Sequence, residues 1–278
     1  MTLPIPIIDH VVINVRDRLD EAAALHERLG FQLTPRGRHT LGSINNLAIL
    51  GTDYIELLGV EPGGGGRTDV LDWAAGLNGL VFKTLDSDAT FAALHAAGAP
   101  VLPPQAFSRP VDLGGEARDA AFRTVRLEQG AVPAGRVFFC HHLTPELVWR
   151  DPWRRHPNGA LGIQGAIVAA SDPAVMGALF ARMFGADAVR PSTGGISLAA
   201  GLATIEVVTP AALAARYGDH APAGNGRTQF MAALILRTLS LDRAHATLQA
   251  GGVEATRSPD AITVPARATG GTTLVFRA

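Results

Sequence analysis

Alternation is the first pattern to emerge along the chain. In Ile8-Asp-His-Val-Val-Ile-Asn-Val15, the aliphatic residues Val11, Ile13 and Val15 fall on every second position. Successive side chains of a strand point to opposite faces, so these three share one face and His10 lies on the other. Asp53-Tyr-Ile-Glu-Leu-Leu-Gly59 reads the same way, with Ile55 and Leu57 on one face and Glu56 on the other. If the two strands belong to one curved sheet, His10 and Glu56 share its concavity. Between them, Leu19–Leu29 has helical spacing and stops at Gly30. Short strands are expected at Phe31–Thr34, Asn45–Leu50 and Tyr54–Val60.

The same sequence of elements then recurs. Leu77–Leu85 is strand-like, Asp86-Ser-Asp88 caps a helix over Ala89–Ala97, and strands follow near Val101, Phe122–Leu127 and Arg136–His141. Pro103 to Ala117 reads as a loop. In a third round, strand Gly162–Ala170 leads into helix Ala174–Phe184, with Pro173 just inside its start, and strands follow near Val189, Ile196–Ala199 and Thr204–Val208. The fourth has strand Phe230–Thr238, helix Leu241–Ala250, and strands near Val253, Ile262–Pro265 and Thr272–Arg277. Single helices alternate with runs of strands, which predicts an α+β fold of four βαβββ units. One such unit leaves a sheet face bare, so the units should pair, placing one pair in residues 1–150 and the other in 151–278. The Trp- and Arg-rich stretch Leu143–Gly159 is the expected junction, packing the two halves together.

Bulk properties narrow the class. The 278 residues are 47% hydrophobic and 18% charged, as in globular proteins, and a net charge of −1 excludes a general nucleic-acid role. A single cysteine, Cys140, rules out an internal disulfide framework and suits a reducing cytoplasm. Neither a signal-peptide pattern nor an apolar run of membrane-spanning length is present. Gly63–Gly66 lacks a following Gly-Lys-Ser/Thr, so a phosphate cradle is not expected. The partners expected are a small-molecule substrate or ligand and, in assembly, at most a homodimer.

Ile8-Asp-His-Val-Val, Gly37-Arg-His39, Gly42-Ser-Ile-Asn45 and Tyr54-Ile-Glu56 resemble the glyoxalase-like domain family of the vicinal-oxygen-chelate superfamily. The resemblance implies concave mixed sheets and a divalent ion held by residues from the first and last strands of paired units. Carried over residue by residue, it gives His10 and Glu56 as metal ligands. In the second unit the corresponding places fall on Gly79 and Phe139, so a full four-residue set is absent. His141, two residues on, would share a face with Phe139 and reach the concavity; His142 would point away. The second pair offers Gly165, Glu206, Ala232 and Leu274, which counts against ring-cleaving iron chemistry.

Each candidate has a bland alternative. His10 and Glu56 are either metal ligands and an acid/base pair, or a buried ion pair. An imidazole–carboxylate set suits zinc, iron, manganese or nickel and leaves positions for a substrate's adjacent oxygens. His39 is a further ligand, a donor to an anionic substrate, or a turn residue bonded to backbone. Asn45, Tyr54 and Phe139 are candidate substrate contacts. Cys140 is expected to share the helix-packing face with Phe138, as a structural thiol. His26, His95 and His245 are expected on helix surfaces. Two functions therefore stand: a metal-dependent lyase, isomerase or hydrolase of the glyoxalase-like class, or a metal-free small-molecule binder of the bleomycin-resistance type.

Overall fold

The computed structural model describes residues 2–64 and 67–278; Gly65 and Gly66 of the glycine run lie outside them. The first unit comprises β1 (Ile8–Arg16), α1 (Leu19–Arg28), β2 (Gly37–Arg38), β3 (Ile44–Ile49) and β4 (Tyr54–Gly59). A short helix, α2 (Thr68–Leu71), leads to the second: β5 (Gly76–Lys83), α3 (Ser87–Ala96), β6 (Gln105–Asp112), β7 (Ala117–Arg126) and β8 (Arg136–His142). The third is β9 (Ala160–Ala170), α4 (Pro173–Phe184), β10 (Val189–Ser192), β11 (Gly195–Ala200) and β12 (Ala203–Val208), with an added helix α5 (Pro210–Tyr217). The fourth is β13 (Gln229–Thr238), α6 (Leu241–Ala250), β14 (Thr256–Arg257), β15 (Ile262–Val264) and β16 (Thr273–Arg277). Side-chain caps start four of the helices: Asp86, Asp172, Thr209 and Ser240 accept from backbone N–H groups of α3, α4, α5 and α6.

The strands form two eight-stranded sheets, ordered β2-β3-β4-β1-β5-β8-β7-β6 and β10-β11-β12-β9-β13-β16-β15-β14. In each, two units meet along their antiparallel first strands, β1 with β5 and β9 with β13. Each first strand also runs parallel to the last strand of its own unit. The fold is thus α+β, with four βαβββ units paired into two mixed sheets.

One face of each sheet turns toward a common core. Val11, Ile13, Leu80 and Phe82 of the first sheet, Leu234, Leu236 and Phe276 of the second, and Leu29, Phe180, Phe184 and Leu248 of the helices form one apolar cluster. The ring of Phe82 lies 4.8 Å from that of Phe184, so α4 of the third unit packs on the first sheet. Truncating a fully buried phenylalanine such as Phe82 to Ala costs about 3–5 kcal/mol. Polar ties cross the same boundary: Ile163 N donates to Asp53 Oδ1 (2.9 Å) and Leu77 N to Thr272 Oγ1 (2.7 Å). In the junction, buried His156 accepts from Gln32 N and donates to Ile49 O, while Asn158 donates to Leu29 O.

The outward faces differ. On the second sheet, Leu213 and Tyr217 of α5 pack over Ile167, Phe230 and Ala232. The first sheet instead curls until its two edges meet: Thr40 N, just past β2, donates to Ser108 O of β6 (2.9 Å), and Ser108 N donates to Thr40 Oγ1 (3.2 Å). Among the described residues, no helix is long and apolar enough to cross a membrane.

Three expectations need correction. Phe31–Thr34 forms no strand, because Thr34 is tied to β3 by its side chain, accepting from Leu47 N through Oγ1 (3.0 Å). The strand expected near Val101 is a lone bridge to Leu127, and the true strand, β6, lies inside the stretch read as a loop. Proline is excluded from central strands but tolerated at an edge, and β6 is an edge strand, so Pro110 does not break it. His26 is buried, not a surface residue: its Nδ1 bonds Ala22 O (2.8 Å), and burial pulls its pKa down to about 4.

Candidate active site

The site begins with an irregularity in β1. Its pairing with β5 slips by one residue between Ile8 and His10. A slip of this kind lets consecutive side chains point the same way. Asp9 and His10 therefore meet, and Asp9 Oδ2 accepts from His10 Nδ1 at 2.7 Å. The same oxygen accepts from His142 Nε2 at 2.9 Å, and Lys83 Nζ lies 3.7 Å from Oδ1. Asp9 is fully buried. Burial alone would raise its carboxyl pKa, but the bonds from His10 and His142 outweigh it and hold the group well below the carboxylate range. An ionised carboxylate only accepts, so Nδ1 of His10 carries the proton of that bond.

That Nε2 faces Glu56 Oε2 at 3.6 Å. Glu56 comes from β4, which runs parallel to β1. Asn45, on β3, donates to Glu56 Oε1 at 2.6 Å. Burial pushes the Glu56 carboxyl up, yet His10, His39, Asn45 and Arg136 together bring it below its ordinary value, so it is charged at neutral pH. His39 Nε2 lies 4.0 Å from Glu56 Oε1, and its Nδ1 is 2.9 Å from Ser43 Oγ. Burial draws His39 down to about 4, with Glu56 opposing and Arg109 assisting, so this ring is neutral at pH 7. Tyr54 stacks on the His10 ring with centroids 4.3 Å apart and an interplanar angle of 12°, which fixes the ring plane.

These groups line a cavity of about 470 Å³ on the concave face of the first sheet. Phe107, Phe138 and Trp73 supply apolar wall; Arg67, Arg109 and Arg136 supply positive charge. Asn14, on β1, anchors the rim by donating to Val70 O, Trp73 O and Ala74 O at 3.0 to 3.2 Å. Several cavity atoms are buried without a partner among the described residues: Asn45 Oδ1, Gln105 Oε1, Arg109 Nη2 and Arg136 Nη2.

The structure brings together His10, His39, Asn45, Tyr54 and Glu56 of the residues singled out in the sequence. It does not bring Phe139 or His141. Phe139 packs in the core between the sheets, while Phe138, Cys140 and His142 lie on the concave side. Register sets this parity: β5 pairs Val81 with Phe138 and Phe82 with Phe139, and Val81 faces the concavity while Phe82 faces the helices. His142, not His141, is therefore the inward histidine. Cys140 lines the cavity instead of the helix side, and burial pushes its thiol well above the usual range, so it is no thiolate. Among the described residues, Asp9, Cys140 and His142 bring three ligand-type atoms within 4.8 Å of one another. Glu206, matching Glu56 in position, is held by both Nη atoms of Arg216 at 2.8 and 3.0 Å. Sequence reasoning missed Asp9, Arg109, Arg136 and His142. Only Asp9 carried a signal, as an acidic residue beside a candidate ligand.

Paired βαβββ units with an imidazole and a carboxylate on one concave face define a vicinal-oxygen-chelate fold. Residues 8–184 match the glyoxalase-like domain family, and the chain belongs to that family. Among curated proteins, none matches its sequence. Among solved structures, a hypothetical protein from Staphylococcus aureus is similar at 15% identity and a TM-score of 0.67, covering 98% of this chain and 99% of its own. A mutant of 4-hydroxymandelate synthase from Streptomyces coelicolor is similar at 14% identity and 0.55, covering 99% and 92%. A fusion of a xylose isomerase-like TIM barrel with a 4-hydroxyphenylpyruvate dioxygenase matches at 12% identity and 0.61, over 100% of this chain and 49% of that one. At these identities the likeness speaks to the fold alone.

Proposed function

We propose that this chain is a metal-dependent enzyme acting on a small metabolite with adjacent oxygens, by a lyase, isomerase or hydrolytic step. His10 and Glu56 would hold a divalent ion of the zinc, iron, manganese or nickel type, with His39 nearest to complete the set. The observation carrying this reading is His10 Nε2 facing an ionised Glu56 across 3.6 Å on the concave face. Two donors bonded to one ion at about 2.1 Å and a tetrahedral angle lie ~3.4 Å apart, so the spacing fits. The bond from His10 Nδ1 to Asp9 is the outer support that metal-bound imidazoles use.

When bound, the ion would supply Lewis-acid polarisation of the substrate's oxygens. The chain's own groups do the rest. Tyr54 holds the His10 plane, Asn45 fixes one oxygen of Glu56, and neutral His39 lies beside it with Nε2 3.3 Å from Asn45 Nδ2. The Glu56 carboxylate also stands where it can take a proton from a carbon next to a bound carbonyl. The aromatic walls limit water at that point.

Two observations favour the metal-free binder. Asn45 already engages Glu56 Oε1 at 2.6 Å, and Gly79 offers no ligand from the second unit. Elemental analysis of untagged protein separates the two readings. The enzyme reading expects one ion per chain, lost in His10→Ala and Glu56→Ala and kept in Cys140→Ser and His142→Gln. Loss in Cys140→Ser instead moves the ion to the Asp9–Cys140–His142 group. Absence of metal from the native protein, and from protein dialysed against each candidate ion, rejects the enzyme reading in favour of the binder.

A further inference from the structure

Arg109 is the oddest group in the cavity. Its residue is only 3% exposed, and its Nη2 is buried with no hydrogen-bond partner among the described residues. No carboxylate lies within ion-pair distance of it among those residues. Arg67, by contrast, is fully engaged by Asp69 and Ser43. Arg136 lines the same cavity and shares the feature in part: Nε donates to Asn78 Oδ1 at 3.0 Å while Nη2 has no partner. A buried, unpaired cation is expensive and is normally matched by a counter-charge. Burial draws both guanidinium pKa values down, Arg136 to about 10, but both remain cationic at neutral pH.

The fold makes room for Arg109 deliberately. It sits on β6 at the seam where the curled sheet closes, and a Cβ added at Gly37 of β2 would lie 2.8 Å from its Cδ and 3.2 Å from Nη1. Glycine at that place lets the guanidinium pass inward. The same cavity has apolar wall as well, with Phe107, Phe138, Trp73 and Leu102 among its lining residues. A planar fork of donors matches a carboxylate in two parallel bonds.

We propose that Arg109 is the receptor for the carboxylate of an amphipathic acid, whose apolar body lies on the aromatic wall of the same cavity. The proposal names the substrate class for the reading above and rests on it only in placing the acid's adjacent oxygens near Glu56. The carboxylate itself is bound by the chain, with or without an ion.

The test uses full-length protein stripped of metal with a chelator, and isothermal titration with 2-hydroxyoctanoate, its neutral amide 2-hydroxyoctanamide, and inorganic phosphate. The acid is expected to bind about 10- to 100-fold more tightly than the amide, the span that charge-assisted bonds give. Arg109→Gln is expected to erase that preference while leaving amide binding unchanged, and Arg109→Lys to restore part of it. Equal affinity for acid and amide, no measurable binding of the acid, or an Arg109→Gln protein that still prefers the acid overturns the proposal. Phosphate binding as tight as the acid also overturns it, since the apolar wall would then play no part. The acid/amide ratio in the parent protein decides the matter even if the variant does not fold. Metal content is measured on the untreated batch. Acid preference without metal sinks the enzyme reading alone, and metal without acid preference sinks this proposal alone.

Discussion

Replacing Asp9 with Asn probes the support beneath the site. Oδ2 accepts two bonds, from His10 Nδ1 at 2.7 Å and His142 Nε2 at 2.9 Å, and Lys83 stands 3.7 Å from the other oxygen. Burial of this fully enclosed carboxylate opposes ionisation, yet its pKa is held low, so the charge is net favourable in the folded protein. The substitution therefore destabilises. A hydrogen bond to a charged group contributes about 1.5–3 kcal/mol and a neutral one about 0.5–1.5, so two downgraded bonds remove ~2–3 kcal/mol. For a chain of this size that is a fall in Tm of roughly 4–10 °C. The second consequence is chemical. An Asn amide can turn a donor toward His10 Nδ1 and favour the tautomer that puts the proton on Nε2, where the lone pair is needed. Loss of such an outer partner typically weakens metal binding 10- to 100-fold. Urea unfolding at pH 7 reads the first effect, and competition with a chelator reads the second. An Asp9→Asn protein within ~0.5 kcal/mol of the parent, with unchanged metal affinity, refutes the argument that Asp9 sets the His10 tautomer.

Other consequences follow from buried titrating groups and close packing. His26 has a folded pKa near 4 against 6.5 in the open chain, so its stabilising contribution is complete above pH 6.5 and is lost as pH falls toward 4. That shift amounts to about 3 kcal/mol; His26→Gln should flatten the stability–pH slope in this window, and an unchanged slope rejects the assignment. Asp53 runs the other way: burial raises it to about 6, so its protonated form stabilises the fold below pH 3.8 and that gain is lost as pH rises through 6. Asp53→Asn keeps the acceptor for Ile163 N and should stabilise the protein by about 1–3 kcal/mol at pH 7, but not at pH 4, in paired denaturation curves. Gly37→Ala should reduce acid binding in the titration described above, because the new methyl meets Asn45 Oδ1 and Arg109 together; unaltered binding would show that the Arg109 side chain can move aside.

Much of the fold was legible because its signals are local and repeated. Aliphatic alternation at Val11, Ile13 and Val15, capping residues at Asp86, Asp172 and Ser240, and glycine stops gave each unit its outline, and four copies reinforced one another. The losses came where parity depends on something non-local. A strand has period two, so an error of one residue reverses every side chain. The family correspondence and strand alternation put Phe139 and His141 inward, but the register of β8 against β5 makes Phe138, Cys140 and His142 the inward set. Asp9 could not be recognised as a partner of His10 because ideal alternation points neighbours apart, and only the slip at Ile8/His10 turns them together. Arg109 stayed hidden because Pro110 and the flanking prolines and glycines disguised β6. Whether that strand is an edge, where proline is harmless, is a property of the assembled sheet.

The two sheets share a topology but not a fate, and the difference lies in how each concave face is closed. The second sheet inserts α5 after β12, and Leu213 and Tyr217 fill the hollow with apolar contact. Its one carboxylate at the equivalent place, Glu206, is neutralised by Arg216 from that same helix. The first sheet has only the one-turn α2 at that place, with Val70 packed beside Val12 and Tyr54, and it closes by bringing Thr40 against Ser108 at the seam, which leaves the hollow open. Into that hollow project the His10 imidazole, an ionised Glu56 and two guanidinium groups with unmatched donors. Buried polar groups left unmatched lower stability, so a fold that retains several in one cavity has a use for them that packing does not supply. The opposed charges also divide the labour: Glu56 and His10 suit a cation, whereas Arg109 and Arg136 suit an anion. A metal ion and a carboxylate would together satisfy what the chain leaves open.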